Sequence, residues 1–244
     1  MKHKLVKGFL RNVIIVGMLA FSVLSCRQFF TTSLAPWAAR DPASLIPPVT
    51  TSNIDDLLDQ SANNPDQSLA LLDTIADAVT TASAADAAVL QAAALTAASN
   101  ASGVATAVLQ NTGTLLDTMQ NNGDIIPVIS DAISDLSNLA PTADLLAAIL
   151  PAPSTPSTPA FNAFVAQASP EDLAMAAIVL LASEAQASGG VDTYISTFDP
   201  QSGFLSDTEA LAVALASAAA TSYADSGGTG PLADILAGLN LTTL

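Results

Sequence analysis

Beyond residue 40 the chain has no lysine, arginine or histidine. The six basic residues (Lys2, Lys4, Lys7, Arg11, Arg27, Arg40) all precede Asp41, and the 22 acidic residues run from Asp41 onward. A body without cations can form no side-chain salt bridge, so packing and hydrogen bonding must hold it. It offers nothing to neutralise phosphates, which excludes nucleic acid as a partner. Anionic headgroups repel it, so residence at a bilayer requires an anchor.

The same absence removes most catalytic sets. Without His or Lys there is no usual base for a Ser or Cys nucleophile. His/Cys zinc sites cannot form. No GxxxxGK[ST] or GxGxxG loop occurs to cradle a phosphate. Ser188-Gly189-Gly190 and Ser226-Gly227-Gly228 read as helix stops and turns. Paired carboxylates remain chemically sufficient for glycosidase work when held ~5–10 Å apart in a cleft. Sugar clefts also use aromatic platforms, and Trp37, Tyr194 and Tyr223 are the only polar aromatic rings. The chain is therefore expected not to be an enzyme and to need no cofactor.

Aromatic residues make up only 5% of the chain. Strands favour aromatic and β-branched residues, so a β-sandwich is disfavoured. Cys26 is the one cysteine. It cannot form an internal disulfide, and an exposed lone thiol is a liability in an oxidising compartment.

What is present is alanine and leucine. Half of the 244 residues are apolar, enough for one large or two small cores. Residues 1–12 (MKHKLVKGFLRN) are basic, and residues 13–24 (VIIVGMLAFSVL) are apolar apart from Gly17 and Ser22. That apolar run is shorter than the ~20 residues of a membrane span. A positive segment, a short apolar segment and a small residue before the cut make a secretory signal.

With Ser25-Cys26 at its end, this stretch resembles the lipobox of bacterial lipoprotein precursors. The resemblance covers residues 1–26 only. Val23 stands where strict boxes carry Leu, with Leu24 beside it, a relaxed pattern found in spirochaete-type lipoproteins. The resemblance implies cleavage between Ser25 and Cys26 and fatty acylation of Cys26, palmitate included. It places the mature protein in a cell envelope, facing the periplasm or the cell surface. Two or three acyl chains suffice for stable attachment. The cleaved chain would keep two basic and 22 acidic groups, a net charge of −20.

The layout expected beyond a 1–25 signal is a lipidated tether over 26–50 and helical halves at 51–150 and 160–244. A Pro/Ser/Thr linker at 151–159 (PAPSTPSTP) divides them. In the tether, Phe29, Phe30, Leu34 and Trp37 suit either contact with a bilayer interface or docking on the domain, and docking is the favoured reading for Trp37. Asn53 is the expected cap of a first helix through Ile54, Leu57 and Leu58. Pro65 opens the next, whose stripe is Leu69, Leu72, Ile75, Ala76 and Val79. Ser83 caps a third helix that ends near Gly103. Further helices are expected at 104–119, 124–138, 142–149, 160–168, 170–187, 191–198, 206–224 and 231–239. Residues 173–182 (LAMAAIVLLA) are apolar all round, which predicts a buried central helix.

Three segments, 86–109, 172–195 and 209–232, share an Ala-rich helix, a small polar break with Gly, and a second helix. The last two start 37 residues apart. This is weakly similar to tetratricopeptide repeats, without their large aromatic positions. The fold class read from these patterns is all-α: an irregular α-hairpin array or an α-solenoid-like bundle.

One segment, 198–209, has two readings. As a calcium loop it offers Asp199, Gly203 at the sixth place and Glu209 at the twelfth. Phe198 and Pro200, however, occupy places where oxygen ligands belong. As a capping box, Ser206-Asp-Thr-Glu209 opens a helix and Gly203 serves a turn. The capping box is the favoured reading, and no metal site is expected. The functional expectation is a membrane-anchored helical scaffold or adaptor for protein partners. The alternative is a ligand-binding lipoprotein, a transport accessory with an apolar cavity lined by Leu, Met175 and Phe.

In a cation-free body every charge–charge term is repulsive. Thermal stability should therefore rise with salt as the Debye length falls from ~30 Å near 0.01 M to ~3 Å near 1 M. Melting curves at increasing NaCl check this, and a falling midpoint would contradict it.

Overall fold

The computed structural model describes residues 46–121, 126–134, 136–153, 157–198 and 205–226. The leader, most of the tether with Trp37, and the helix expected near 231–239 lie outside the described residues. Ten helices occur among them: α1 (Ile54–Ser61), α2 (Pro65–Thr81), α3 (Ala84–Ser102), α4 (Val104–Gln120), α5 (Ile126–Ser134), α6 (Leu139–Ile149), α7 (Pro159–Val165), α8 (Pro170–Ala187), α9 (Val191–Thr197) and α10 (Asp207–Ser226). The protein is all-α, as its composition predicts.

Punctuation by small polar residues sets most boundaries. Ser83 Oγ accepts from the Asp86 N–H at 3.2 Å and donates to its carboxylate at 2.7 Å. Ser169 does the same with Asp172 at 3.0 and 2.7 Å. Asn64 and Thr158 cap α2 and α7, each followed by a proline as the first helical residue, where its missing N–H costs nothing. Gly103 stops α3 at φ 75°, a left-handed conformation that alanine would resist, and donates its N–H to the Ser99 carbonyl at 3.0 Å.

Two local expectations are corrected. Asn53 sits before α1, but its side chain does not cap it. Its Oδ1 accepts from the Thr50 N–H at 2.8 Å and its Nδ2 donates to the Pro48 carbonyl at 3.0 Å. The amide turns back because the preceding turn offers both a donor and an acceptor. On α2 the buried face runs through Ser68, Leu71, Leu72 and Ile75. Leu69 is only half-buried, whereas Ser68 is enclosed and donates to the Ser61 carbonyl at 2.9 Å. A stripe drawn through apolar residues alone misses an inward serine.

Two Ala-rich helices organise the packing. Helix α3 touches α1, α2, α4, α6, α7 and α8, and α8 touches α3, α4, α6, α9 and α10. Ala94, Leu95, Ala97, Ala98 and Ala101 on α3 have no exposed surface, and neither do Leu173, Ala176, Val179 and Leu180 on α8. The central-helix expectation for 173–182 is thus met. Among the described residues no single helix is long and apolar enough to cross a membrane. From α7, Phe164 fills the core edge-on to Phe161, with ring centroids 5.8 Å apart.

Contacts are not confined to sequence neighbours: α2 meets α6, α3 meets α7 and α8, and α6 meets α10. A nearest-neighbour solenoid lacks such pairings, so the described hairpins form an irregular bundle. One apolar cluster takes residues from both sides of 151–159. The two halves expected there are halves of one unit.

The gaps between these helices are alanine-sized. Replacing Ala98, which has no exposed surface, with Leu should lower stability by about 1–3 kcal/mol through overpacking. Denaturant titration of the Ala98→Leu variant measures this.

Candidate functional site

An open cavity of about 200 Å³ lies where α1, α3 and the α7–α8 corner meet. Ile54, Leu58, Val89, Ala92 and Ala93 make its apolar side. Asp55, Thr96, Gln167, Ser169 and Asp172 make its polar side. The two carboxylates sit here because each belongs to the first turn of a helix, where negative charge complements the helix dipole. Asp172 is already engaged by the Ser169 hydroxyl. The groove can hold an apolar side chain under an acidic rim. Its hydroxyl–carboxylate pair, Ser169 with Asp172, is the cap of α8.

The second polar centre joins α8, α9 and α10. The chain has three glutamates, Glu171, Glu184 and Glu209, and two tyrosines, Tyr194 and Tyr223. Tyr194, Glu184 and Glu209 meet at this junction, and Tyr223 and Glu171 pair at the opposite end of α8 and α10. Glu209 Oε2 accepts from the Ser206 N–H at 2.7 Å, and the Ser206 Oγ accepts from the Glu209 N–H at 3.1 Å. That reciprocal pair is the capping box predicted for α10. The other carboxylate oxygen of Glu209 accepts from the Tyr194 hydroxyl at 3.0 Å. The Ser206 hydroxyl donates to Glu184 Oε1 at 3.3 Å. Tyr194 stacks on Phe198 with centroids 5.2 Å apart. At the far end, the Tyr223 hydroxyl of α10 bonds Glu171 in the first turn of α8. The start of α8 thus meets the end of α10, and the end of α8 meets the start of α10. The two helices run antiparallel.

Both tyrosines are held protonated. Burial, then the hydrogen bond and charge of Glu209 and the charge of Glu184, push Tyr194 well above its ordinary 10.0. Burial and the Glu171 carboxylate push Tyr223 up to about 12.

Of the residues singled out from sequence, Ser25, Cys26, Asp199 and Gly203 lie outside the described residues. Glu209 is described, and its two oxygens serve the cap and Tyr194. Among the described residues no group of three or more His, Cys, Asp or Glu is placed to hold a metal ion. Sequence reasoning named Tyr194 and Tyr223 as polar rings but did not pair them with glutamates. The available signal was compositional: only three of the 22 acidic residues are Glu, and each of the three is paired with a hydroxyl on another helix or at its cap. No family model, curated protein or solved structure matches this chain.

The pH dependence follows from the raised values. Between 10 and 12 the folded chain retains protons that the unfolded chain has lost, so stability is full below pH 10 and falls as pH rises through that window. Tyrosinate absorbance of the native protein should stay low well past pH 10. In denaturant it should grow with a midpoint near 10. A native midpoint at 10 would contradict the burial.

Proposed function

We propose that the chain is a lipid-anchored helical scaffold of a bacterial cell envelope. The leader over 1–25 exports it, acyl chains on Cys26 hold it, and the segment before Ile46 spaces a helical body, in whose core Ile46 and Val49 already pack, that engages protein partners. The observation that carries this reading is the position of the only cysteine. It closes a basic-then-apolar leader, directly after the small Ser25 and ahead of a body without a cation. Acylation gives that thiol a role, and a body repelled by anionic lipid needs such an attachment.

The open groove between α1, α3 and the α7–α8 corner supports a partner-binding role over a carrier role. Its volume is about 200 Å³, below the roughly 300–1,000 Å³ of small-molecule pockets. Met175 is half-buried against the core and does not line the groove. A carrier would call for a closed chamber built from such residues. The acidic rim at Asp55 and Asp172 suits an apolar side chain flanked by Lys or Arg on the partner.

Mass analysis of the first peptide from native membranes tests the anchor. It should begin at Cys26 and carry acyl chains, and Cys26→Ser should move the protein from the membrane to the soluble fraction. An unacylated Cys26 behind an intact leader would overturn the proposal. Crosslinking and pull-down with the Ala92→Lys variant tests the groove, since a cation placed there should abolish capture of a basic partner. Release of a bound small molecule from the purified protein would instead favour the carrier.

A further inference from the structure

Helix α9 is only seven residues long, too short to persist without tertiary support. Its side-chain attachment is narrow. Val191 and Tyr194 are buried with Ala185 in a small cluster, backed by Ile129 and Ile133 of α5, Leu181 of α8, and Phe198. The buried members of this cluster are distinct from those of the main core. Among the described residues, one hydrogen bond ties α9 to the body beyond the α8–α9 turn: Tyr194 Oη to Glu209 Oε1 at 3.0 Å.

The turn before α9 is made by two glycines whose N–H groups close the end of α8, Gly190 to the Ala185 carbonyl at 2.8 Å and Gly189 to the Gln186 carbonyl at 3.2 Å. Gly189 and Gly190 have φ of 91° and 126°, and no atom lies within 4 Å of where a Cβ would sit on either. Their use is conformational, since nothing crowds them. On the opposite side, the same Glu209 carboxylate that holds Tyr194 also caps α10. Tyr194 also faces the Glu184 carboxylate at the end of α8, and no cation among the described residues balances the two acids.

We infer that α9 is a latch: it opens as a unit about Gly189–Gly190 when the Tyr194–Glu209 hydrogen bond is lost, while the α3–α8 core stays closed. Opening uncovers an apolar strip formed by Leu181 and Ala185 of α8 and Ile129 and Ile133 of α5. The strip shares no residue with the groove at α1, so the latch stands independently of the proposed anchor and partner surface.

Amide hydrogen exchange on the full chain tests it. A hydrogen bond to a charged group contributes enough that Tyr194→Phe should speed exchange of residues 191–198 by roughly ten- to a hundred-fold. Exchange in α3 and α6 should not change. Tyr223→Phe removes the same oxygen from a pair that joins two long core helices, and it should leave 191–198 protected. The latch is overturned if Tyr194→Phe leaves 191–198 unchanged, if all helices speed up together, or if Tyr223→Phe has the same effect on α9. Should Tyr194→Phe fail to fold, the unaltered protein decides at low denaturant. Amides of α9 should then exchange through an opening whose denaturant slope is smaller than that of global unfolding, and an equal slope overturns the latch.

Discussion

Helix α3 meets its neighbours through Ala94, Ala97, Ala98 and Ala101, all fully or almost fully enclosed. Methyl groups let helix backbones approach closely, and dispersion summed over such contacts falls steeply when a gap opens. In most domains, looser contacts are supplemented by ion pairs at the rim. Here the body has no cation to form one, and its acidic groups repel one another. The fold therefore depends on close alanine packing around α3 and α8, and the positions of α1, α2, α6, α7 and α10 follow from which faces of those two helices they cover.

The same lack of cations shapes the helix ends. Lys or Arg commonly sits near a helix C-terminus, where it complements the dipole; none of these helices has one. Neutral donors take over. Ser137 N–H bonds the Ser102 carbonyl at 3.1 Å, and Gln91 Nε2 reaches the Ile149 carbonyl at 2.9 Å. Asn138, at φ 49°, spans from the Ala101 carbonyl at 3.5 Å to Asp66 at 3.3 Å. These bonds cross between helices, so they finish helix ends and fix inter-helix register together. One buried hydroxyl, Thr142 Oγ1, has no partner among the described residues.

At the α8–α10 hairpin, tyrosine replaces the missing cation as the partner of a carboxylate. A phenol hydroxyl donates a hydrogen bond to Glu209 or Glu171 without bringing charge, so each pair leaves the net charge of the body unchanged. The groove at α1 and the junction at α9 lie on different elements and have different chemistry. The first is an acid-rimmed apolar surface, while the second is a hydrogen-bonded closure over a small apolar cluster.

Local rules were enough to read the helical class, the Ser83 start, the Gly103 stop, the Ser206–Glu209 cap and the buried character of 173–182. Each depends on residues within a turn or two of one another. The cation-free body and the lone Cys26 are likewise matters of composition. The inward Ser68 and the Tyr194–Glu209 and Tyr223–Glu171 pairs were decided only by tertiary packing. Alanine faces look alike at every register, so periodicity cannot tell which helix covers which. A tyrosine and a glutamate 15 or 52 residues apart show no local sign that α8 and α10 will lie antiparallel and bring them together.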